Sequence, residues 1–342
     1  MTKSYKSNFC SRFYVNFLNR KFFVLFLIIT IIIPFCGCGF QTLRPLNSSK
    51  PKVISTIFAP YDFARQVSGE LADVSMLLPP GSEPHSFEPS PKDIINIKNA
   101  DVFIYTGGAN DSWVDTILAS IDTQDIKIIR LLDVIPPEEE EIIEGMTEET
   151  HDEGVEGNDE HTLHKEAEYD EHVWTSPKNA ELIVQKISDT LCEVDAENSE
   201  KYRAKTVKYI EDLRQLDSSF KTLMNNAARK TIVFGDRFPF RYFADYYDLN
   251  YFAAFPGCAS ETEASAQTIA FLINKVRAES IPIIFKIELS NGKIADSIAE
   301  QTGAEVLTMQ SCHNVTTEEF NNGVTYISLM QSNYVNLTKA LL

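Results

Sequence analysis

From residue 52 onward the chain alternates short apolar runs with stretches of helical periodicity, and few folds accommodate such an alternation. The runs VISTIFA, VSMLLP, DVFIYTG and IKIIRLL are separated by helical patterns through YDFARQVSGELA, SPKDIINIKNA and DSWVDTILASI. Strand and helix in repetition predict a parallel sheet covered by helices. The alternation restarts in the second half with TIVFG, YFADYY, LNYFAAF, IPIIFKIEL and AEVLTM, read as strand-like apolar runs. They are interleaved with helical patterns in SAQTIAFLINKVRAES and NGKIADSIAEQTG and followed by a last one through VTYISLMQSNYVNLTKAL. Between the two sets lies NSEKYRAKTVKYIEDLRQLDSSFKTLMNNA, which contains neither proline nor glycine. At 1.5 Å per residue it forms a helix roughly 45 Å long. The expected fold is therefore α/β, with two lobes of parallel sheet flanked by helices and joined by a long rigid linker helix. The expected boundaries are a first lobe over 51–195, the linker over 196–227 and a second lobe over 228–342. The helix before the linker begins at Ser176, an N-cap residue followed by Pro177 at the first helical position, where a missing N–H costs nothing.

Residues 138–171 interrupt the pattern. They hold sixteen Asp and Glu against the single Lys165, so one segment carries most of the net charge of −18. A stretch so charged and so poor in apolar residues does not offset the entropy of ordering itself, and a mobile insertion is expected there. The rest of the chain is close to neutral and has no clustered Lys/Arg face, which argues against nucleic acid as a partner.

The N-terminus is basic, with Lys3, Lys6, Arg12, Arg20 and Lys21, and then apolar from Phe22 to Cys36. This is the layout of an export signal, expected over 1–37, and the apolar run falls short of the ~20 residues that span a bilayer. FCGC resembles the lipobox of bacterial lipoproteins, which implies lipidation at Cys38 and a tether over 38–50. The expected location is extracytoplasmic and lipid-anchored at the cell membrane, with secretion or an uncleaved signal anchor as alternatives. Three cysteines remain in the body, Cys192, Cys258 and Cys312, and an oxidising compartment permits two of them to pair.

The chain has six histidines. His151, His161 and His164 lie in the acidic insertion. His85 follows a strand in GSEPHSFEPSPKD, His172 precedes a helix in YDEHVWTSPKNA, and His313 follows a strand in MQSCHNV. Ends of strands and helices are where open parallel sheets place ligand-binding groups. A neutral imidazole is a good zinc ligand, and four nitrogen or oxygen donors hold the ion tetrahedrally. No H-E-x-x-H helix and no G-x-S-x-G elbow occurs, and TGGAND alone does not make a nucleotide site. No enzyme activity is expected; a secreted zinc hydrolase, which needs a general base near metal-bound water, is the contrasting reading.

GSEPHSFEPSPKD, DEHVWTSPKNA and the lobe–helix–lobe pattern resemble the zinc and manganese solute-binding proteins of ABC importers. The resemblance implies a receptor that captures Zn(2+) between two lobes and delivers it to a permease and its ATPase, acting as a monomer. Manganese is the alternative metal, since related receptors use a harder donor set; attachment to host matrix, as a surface adhesin, is another alternative. It further implies that His85 and His172 are metal ligands. The family's third ligand falls in a segment matching FGDRFPFRYFADYYDL, where a gapless reading places Arg237. A guanidinium cannot coordinate a cation, so Asp236 is the expected donor, with a salt bridge or a brace of the loop as the other reading of this pair. The fourth position implies His313, next to Cys312. Cys258 lies in a loop the family brings toward its cleft, which implies a Cys258–Cys312 disulfide, with cysteine–metal ligation as the alternative. Glu288 is expected to support the ligands or to bind on occasion. The acidic insertion resembles the family's His-rich loop, implying weak zinc capture by His151, His161 and His164, with a solvating spacer as the other reading.

Overall fold

The computed structural model describes residues 50–146, 169–259 and 263–342. The expected signal and all of the tether but Lys50, Cys38 included, and the capture histidines His151, His161 and His164 lie outside the described residues.

Within residues 50–342, which form one compact unit, two four-stranded parallel sheets account for the strand-like runs. The first contains β1 (Lys52–Ser55), β2 (Asp73–Met76), β3 (Val102–Tyr105) and β4 (Lys127–Arg130), in the order β2-β1-β3-β4. Val53 pairs with both Val74 and Val102, and every residue of β3 is buried. The second contains β5 (Thr231–Phe238), β6 (Asn250–Pro256), β7 (Ile283–Ile287) and β8 (Glu305–Met309), in the order β6-β5-β7-β8. Parallel neighbours demand crossovers, and helices supply them: α1 (Phe58–Ser68), α2 (Pro91–Lys98) and α3 (Ser112–Ser120) in the first half. A short α4 (Leu131–Val134) follows β4. In the second half they are α7 (Arg241–Tyr247), α8 (Ala266–Glu279) and α9 (Lys293–Thr302), and a short α10 (Thr317–Asn321) follows β8. The run YFADYY is thus the helix α7 and not a strand. β5 and β6 lie side by side and parallel, and only a crossover joins such a pair.

Two long helices link the sheets, α5 (Pro177–Val194) and α6 (Ser199–Asn226). The sequence places Tyr202, Thr206, Tyr209, Leu213, Leu216, Phe220 and Leu223 at helical spacing, and all are buried on one stripe of α6. That stripe packs on α5 and α1 of the first half and on the C-terminal helix α11 (Tyr326–Leu341) of the second. α11 in turn starts against the first half: Tyr326 N donates to Asp62 Oδ2 at 2.8 Å, and the Tyr326 ring meets Phe63 edge-on at 4.8 Å. One apolar cluster consequently runs from Phe58 and Trp174 through Phe220 to Leu341.

One further expectation is corrected, that of a disulfide. The described ends of the acidic insertion, residues 138–146 and 169–171, make specific contacts. Glu139 and Tyr169 form an antiparallel bridge, Asp170 N donates to Glu138 O at 2.9 Å, and Arg241 pairs with Glu141 at 2.5 Å. Cys258 and Cys312 are free thiols and make no disulfide. Cys312 is fully buried within the large apolar cluster with its Sγ on Gln310 O, whereas Cys258 lies with its Sγ toward Tyr169 O. Burial pushes both thiols well above their ordinary pKa.

Candidate metal centre

The loops that matter leave the C-terminal ends of strands, where open α/β sheets bind ligands. After β2 the chain runs through Leu77–Ser90, whose single 3-10 turn, Pro84–Ser86, contains the backbone of His85. The loop is closed by a capping box: Ser90 and Asp93 exchange side-chain to backbone hydrogen bonds, and Pro91 opens α2.

His172 stands immediately before the 3-10 turn Val173–Thr175 that leads into α5, and it is buried. Asp170, two residues earlier, fixes it twice. Its Oδ1 accepts the His172 backbone N–H at 2.8 Å and lies 3.1 Å from Nδ1. A neutral imidazole that donates Nδ1–H to a carboxylate presents the Nε2 lone pair outward, the orientation seen in carboxylate–histidine–metal arrangements. Burial by itself lowers the pKa of this imidazole, but the charge and hydrogen bond of Asp170, with Glu171 and Glu140 behind, raise it above the ordinary value.

His313 lies in the loop after β8. Its ring centroid is 5.4 Å from that of His172 and 5.1 Å from that of Trp174. The turn that carries it is clamped by Glu288, which follows β7: the carboxylate accepts Ser311 N at 2.6 Å, Ser311 Oγ, and His313 N at 3.3 Å. Burial raises the Glu288 pKa against these hydrogen bonds. The same loop is also fastened to the first half. Phe58 N donates to His313 O at 3.0 Å, and Trp174 Nε1 donates to Ser311 O at 2.8 Å.

These residues share one small cavity, lined among others by Pro84, His172, Arg237, Glu288 and His313, with about 20 Å³ open to a water-sized guest. That volume suits a single ion or water. A second cavity of the same size is also lined by His313, with Asn110, Asp111 and Glu171. Burial pushes the Glu171 carboxyl up to about 7, although Asn110 N donates to its Oε1 at 2.9 Å. A far larger cavity of about 540 Å³ opens at the start of β1 and β2 around Lys52, Asp73 and Asn99, but it gathers no imidazole and one carboxylate. Donor chemistry, not volume, selects the smaller cavity.

Of the residues expected as ligands, the structure brings His172 and His313 together and places the Pro84–Ser86 turn at the same cavity. Among the described side chains, which do not include that of His85, no group of three or more His, Cys, Asp or Glu forms a ready metal cage. Asp236 does not line the cavity. Its Oδ1 accepts Arg237 N at 2.9 Å and its Oδ2 accepts Ile287 N at 3.3 Å, which ties β5 to β7. A register shift between Phe234 and Arg237 marks a bulge in β5, a feature that re-aims a side chain, and Arg237 lines the cavity instead. Sequence reasoning missed Asp170 as the partner of His172, although an acid two residues ahead of a histidine at a helix start was a readable signal. It also missed the bonds from Trp174 and Asn314 to the opposite half, which span more than a hundred residues and leave no local pattern.

Residues 53–340 match the family model described as zinc-uptake complex component A, periplasmic. The zinc-binding protein AdcA of Streptococcus pyogenes is 30% identical over 301 residues, 87% of this chain and 57% of that protein. The chain thus spans little more than half the length of its streptococcal relatives. The high-affinity zinc uptake system protein ZnuA of Bacillus subtilis is 29% identical over 326 residues, 94% of this chain and 98% of that one. Among solved structures, Zn(II)-bound AdcA from Streptococcus pneumoniae superposes with a TM-score of 0.69 at 27% identity, over 86% of this chain and 58% of that chain.

Proposed function

Since the chain belongs to the family of zinc-uptake complex component A, we propose that it is an extracytoplasmic receptor that captures Zn(2+) between its two sheets and hands it to the permease of an ABC importer. His85, His172 and His313 supply the nitrogen donors, and the fourth tetrahedral position stays open, as suits an ion that must be released. Asp236 keeps to the framework, because both of its oxygens are engaged by backbone N–H groups. Lipidation at Cys38 holds the receptor, a monomer, at the outer face of the membrane beside its permease and ATPase. His151, His161 and His164 collect zinc weakly ahead of the cleft.

The observation that carries this reading is the approach of two buried imidazoles, His172 and His313, to 5.4 Å between ring centroids on one ion-sized cavity. Asp170 at 3.1 Å turns the first toward coordination. The test is metal analysis and calorimetric titration of residues 39–342 against His85→Ala, His172→Ala and His313→Ala. One tight zinc per chain, weakened at least 100-fold in each variant and resistant to competing manganese, is expected. A wild-type protein without tight zinc, or variants that keep it, overturns the reading.

A further inference from the structure

The position at which the family resemblance implies a third metal donor holds Arg237, and a guanidinium cannot fill that role. It makes a different bond across the same cavity. Arg237 Nη1 lies 3.1 Å from Glu83 Oε1, and Nη2 lies 3.2 Å from Glu83 Oε2, a two-pronged pair; Nη1 also donates to Ala259 O at 3.2 Å. Arg237 belongs to β5 of the second sheet. Glu83 belongs to the loop after β2 of the first, two residues before His85.

That loop is gripped along its length by residues of the second half. Asn314 Nδ2 donates to Pro79 O at 2.9 Å and to Ser82 O at 2.8 Å, Gly81 N donates to Val315 O at 2.8 Å, and Thr317 Oγ1 donates to Pro80 O at 3.2 Å. Asn314, Val315 and Thr317 follow His313, whose loop is fastened both to Phe58 and Trp174 of the first half and to Glu288 of the second. The Arg237–Glu83 pair instead ties the loop to a strand of the opposite sheet.

We propose that this ion pair is an interlobe clasp: Arg237 is a positioning residue that holds the His85 turn against the second sheet and retards release of the metal. The inference rests on the zinc-receptor reading. Where a metal–ligand bond from this strand would close the cleft, here a protein–protein ion pair does so beside the metal. The Arg237 side chain is 7% exposed and that of Glu83 is 43% exposed. Separating the halves breaks this two-pronged pair, and the cost of that loss falls on opening. The Arg237 Nε is buried with no partner among the described residues, so the pair is incompletely satisfied and is placed for geometry more than for stability. Truncating one member of such a pair acts mainly on the rate of dissociation.

The test is a double-mutant cycle on the zinc-loaded full chain. Release to an excess of a coloured chelator is timed for the wild type, Arg237→Gln, Glu83→Gln and the double variant, with Arg237→Lys as the conservative control. Each single variant is expected to release zinc about tenfold faster. The double variant is expected to match the singles, because the two side chains act as one unit, and Arg237→Lys falls between. Bound cobalt(II) reports the donor set directly: its visible spectrum stays unchanged in Arg237→Gln, since the guanidinium is no ligand. Wild-type release rates in both single variants, or accelerations that multiply in the double variant, overturn the clasp while leaving the zinc reading intact. A wild-type chain that binds no zinc fails the zinc reading first and is distinguishable for that reason.

Discussion

At His172 two influences oppose each other. Complete burial disfavours the imidazolium, and Asp170 beside it, with Glu171 and Glu140, favours it more, so the proton is held above the ordinary imidazole range of ~6.5. Zinc must displace that proton. Zinc affinity is therefore expected to fall as the pH drops through a value above ~6.5, which calorimetry from pH 5.5 to 8.5 checks; flat affinity across that range contradicts ligation by His172. The sign for the metal-free protein is the opposite. A histidine whose folded pKa is raised adds stability that is fully present below its unfolded pKa and is lost as the pH rises through the folded one. The melting temperature of the metal-free chain should sag in that window while the increment from added zinc grows. Asp170→Asn removes the anion responsible for both trends. It should bring the midpoint of zinc binding down and, by loosening the ring, weaken zinc at pH 8 by about 10- to 100-fold.

At the scale of elements, β5 lies directly on α9. A Cβ added at Gly235 would stand 2.4 Å from the Ala295 Cα and 2.6 Å from its backbone N, and a backbone does not step aside as a flexible side chain does. Gly235→Ala should cost about 1–3 kcal/mol, read as a lowered melting temperature, and it should disturb zinc binding as well, since Asp236 and Arg237 follow on the same strand. This strand also shows where sequence reading stops. Its apolar run and the long linker helix were legible, the latter from thirty residues without proline or glycine, and α6 falls within the expected bounds at Ser199–Asn226. The bulge that turns Arg237 into the cavity and Asp236 away from it depends on pairing with β6, which no local spacing encodes. The aromatic run of α7 looked like a strand because tyrosine and phenylalanine suit both states; topology decides between them. The contacts at the described ends of the acidic insertion were hidden for a similar reason, since the partners, Arg241, Tyr242 and Cys258, lie about a hundred residues away. At the site, D-x-H-x-W announced His172, and a histidine after a strand announced His313, but the pairing of Trp174 with Ser311 is visible only once the chain is folded.

For the molecule as a whole, the decisive feature is that the two sheets, each of which has a smaller apolar cluster of its own, share one large cluster between them. The helix α6, 28 residues and roughly 42 Å long at 1.5 Å per residue, buries its stripe against both halves. The helix α11 begins at Phe63 and Trp174 of the first half and ends where Leu341 O accepts Ala228 N of the second. An opening by several ångströms would have to part apolar side chains along this shared cluster, and close-packed interiors switch between discrete packings more readily than they stretch. Two measurable consequences follow. Residues 39–342 should melt in one calorimetric transition whose midpoint rises with zinc, by about 2.7 kcal/mol of added stability at a hundredfold excess over Kd. Small-angle scattering should show a change in radius of gyration under about 1 Å on zinc binding, in keeping with a largely pre-formed site. Two resolved transitions would mean that the halves fold independently despite the common cluster. A contraction of several ångströms would mean that α6 and α11 yield as hinges, and the ion would then be caught by wholesale closure instead of by small movements of the His85 and His313 loops.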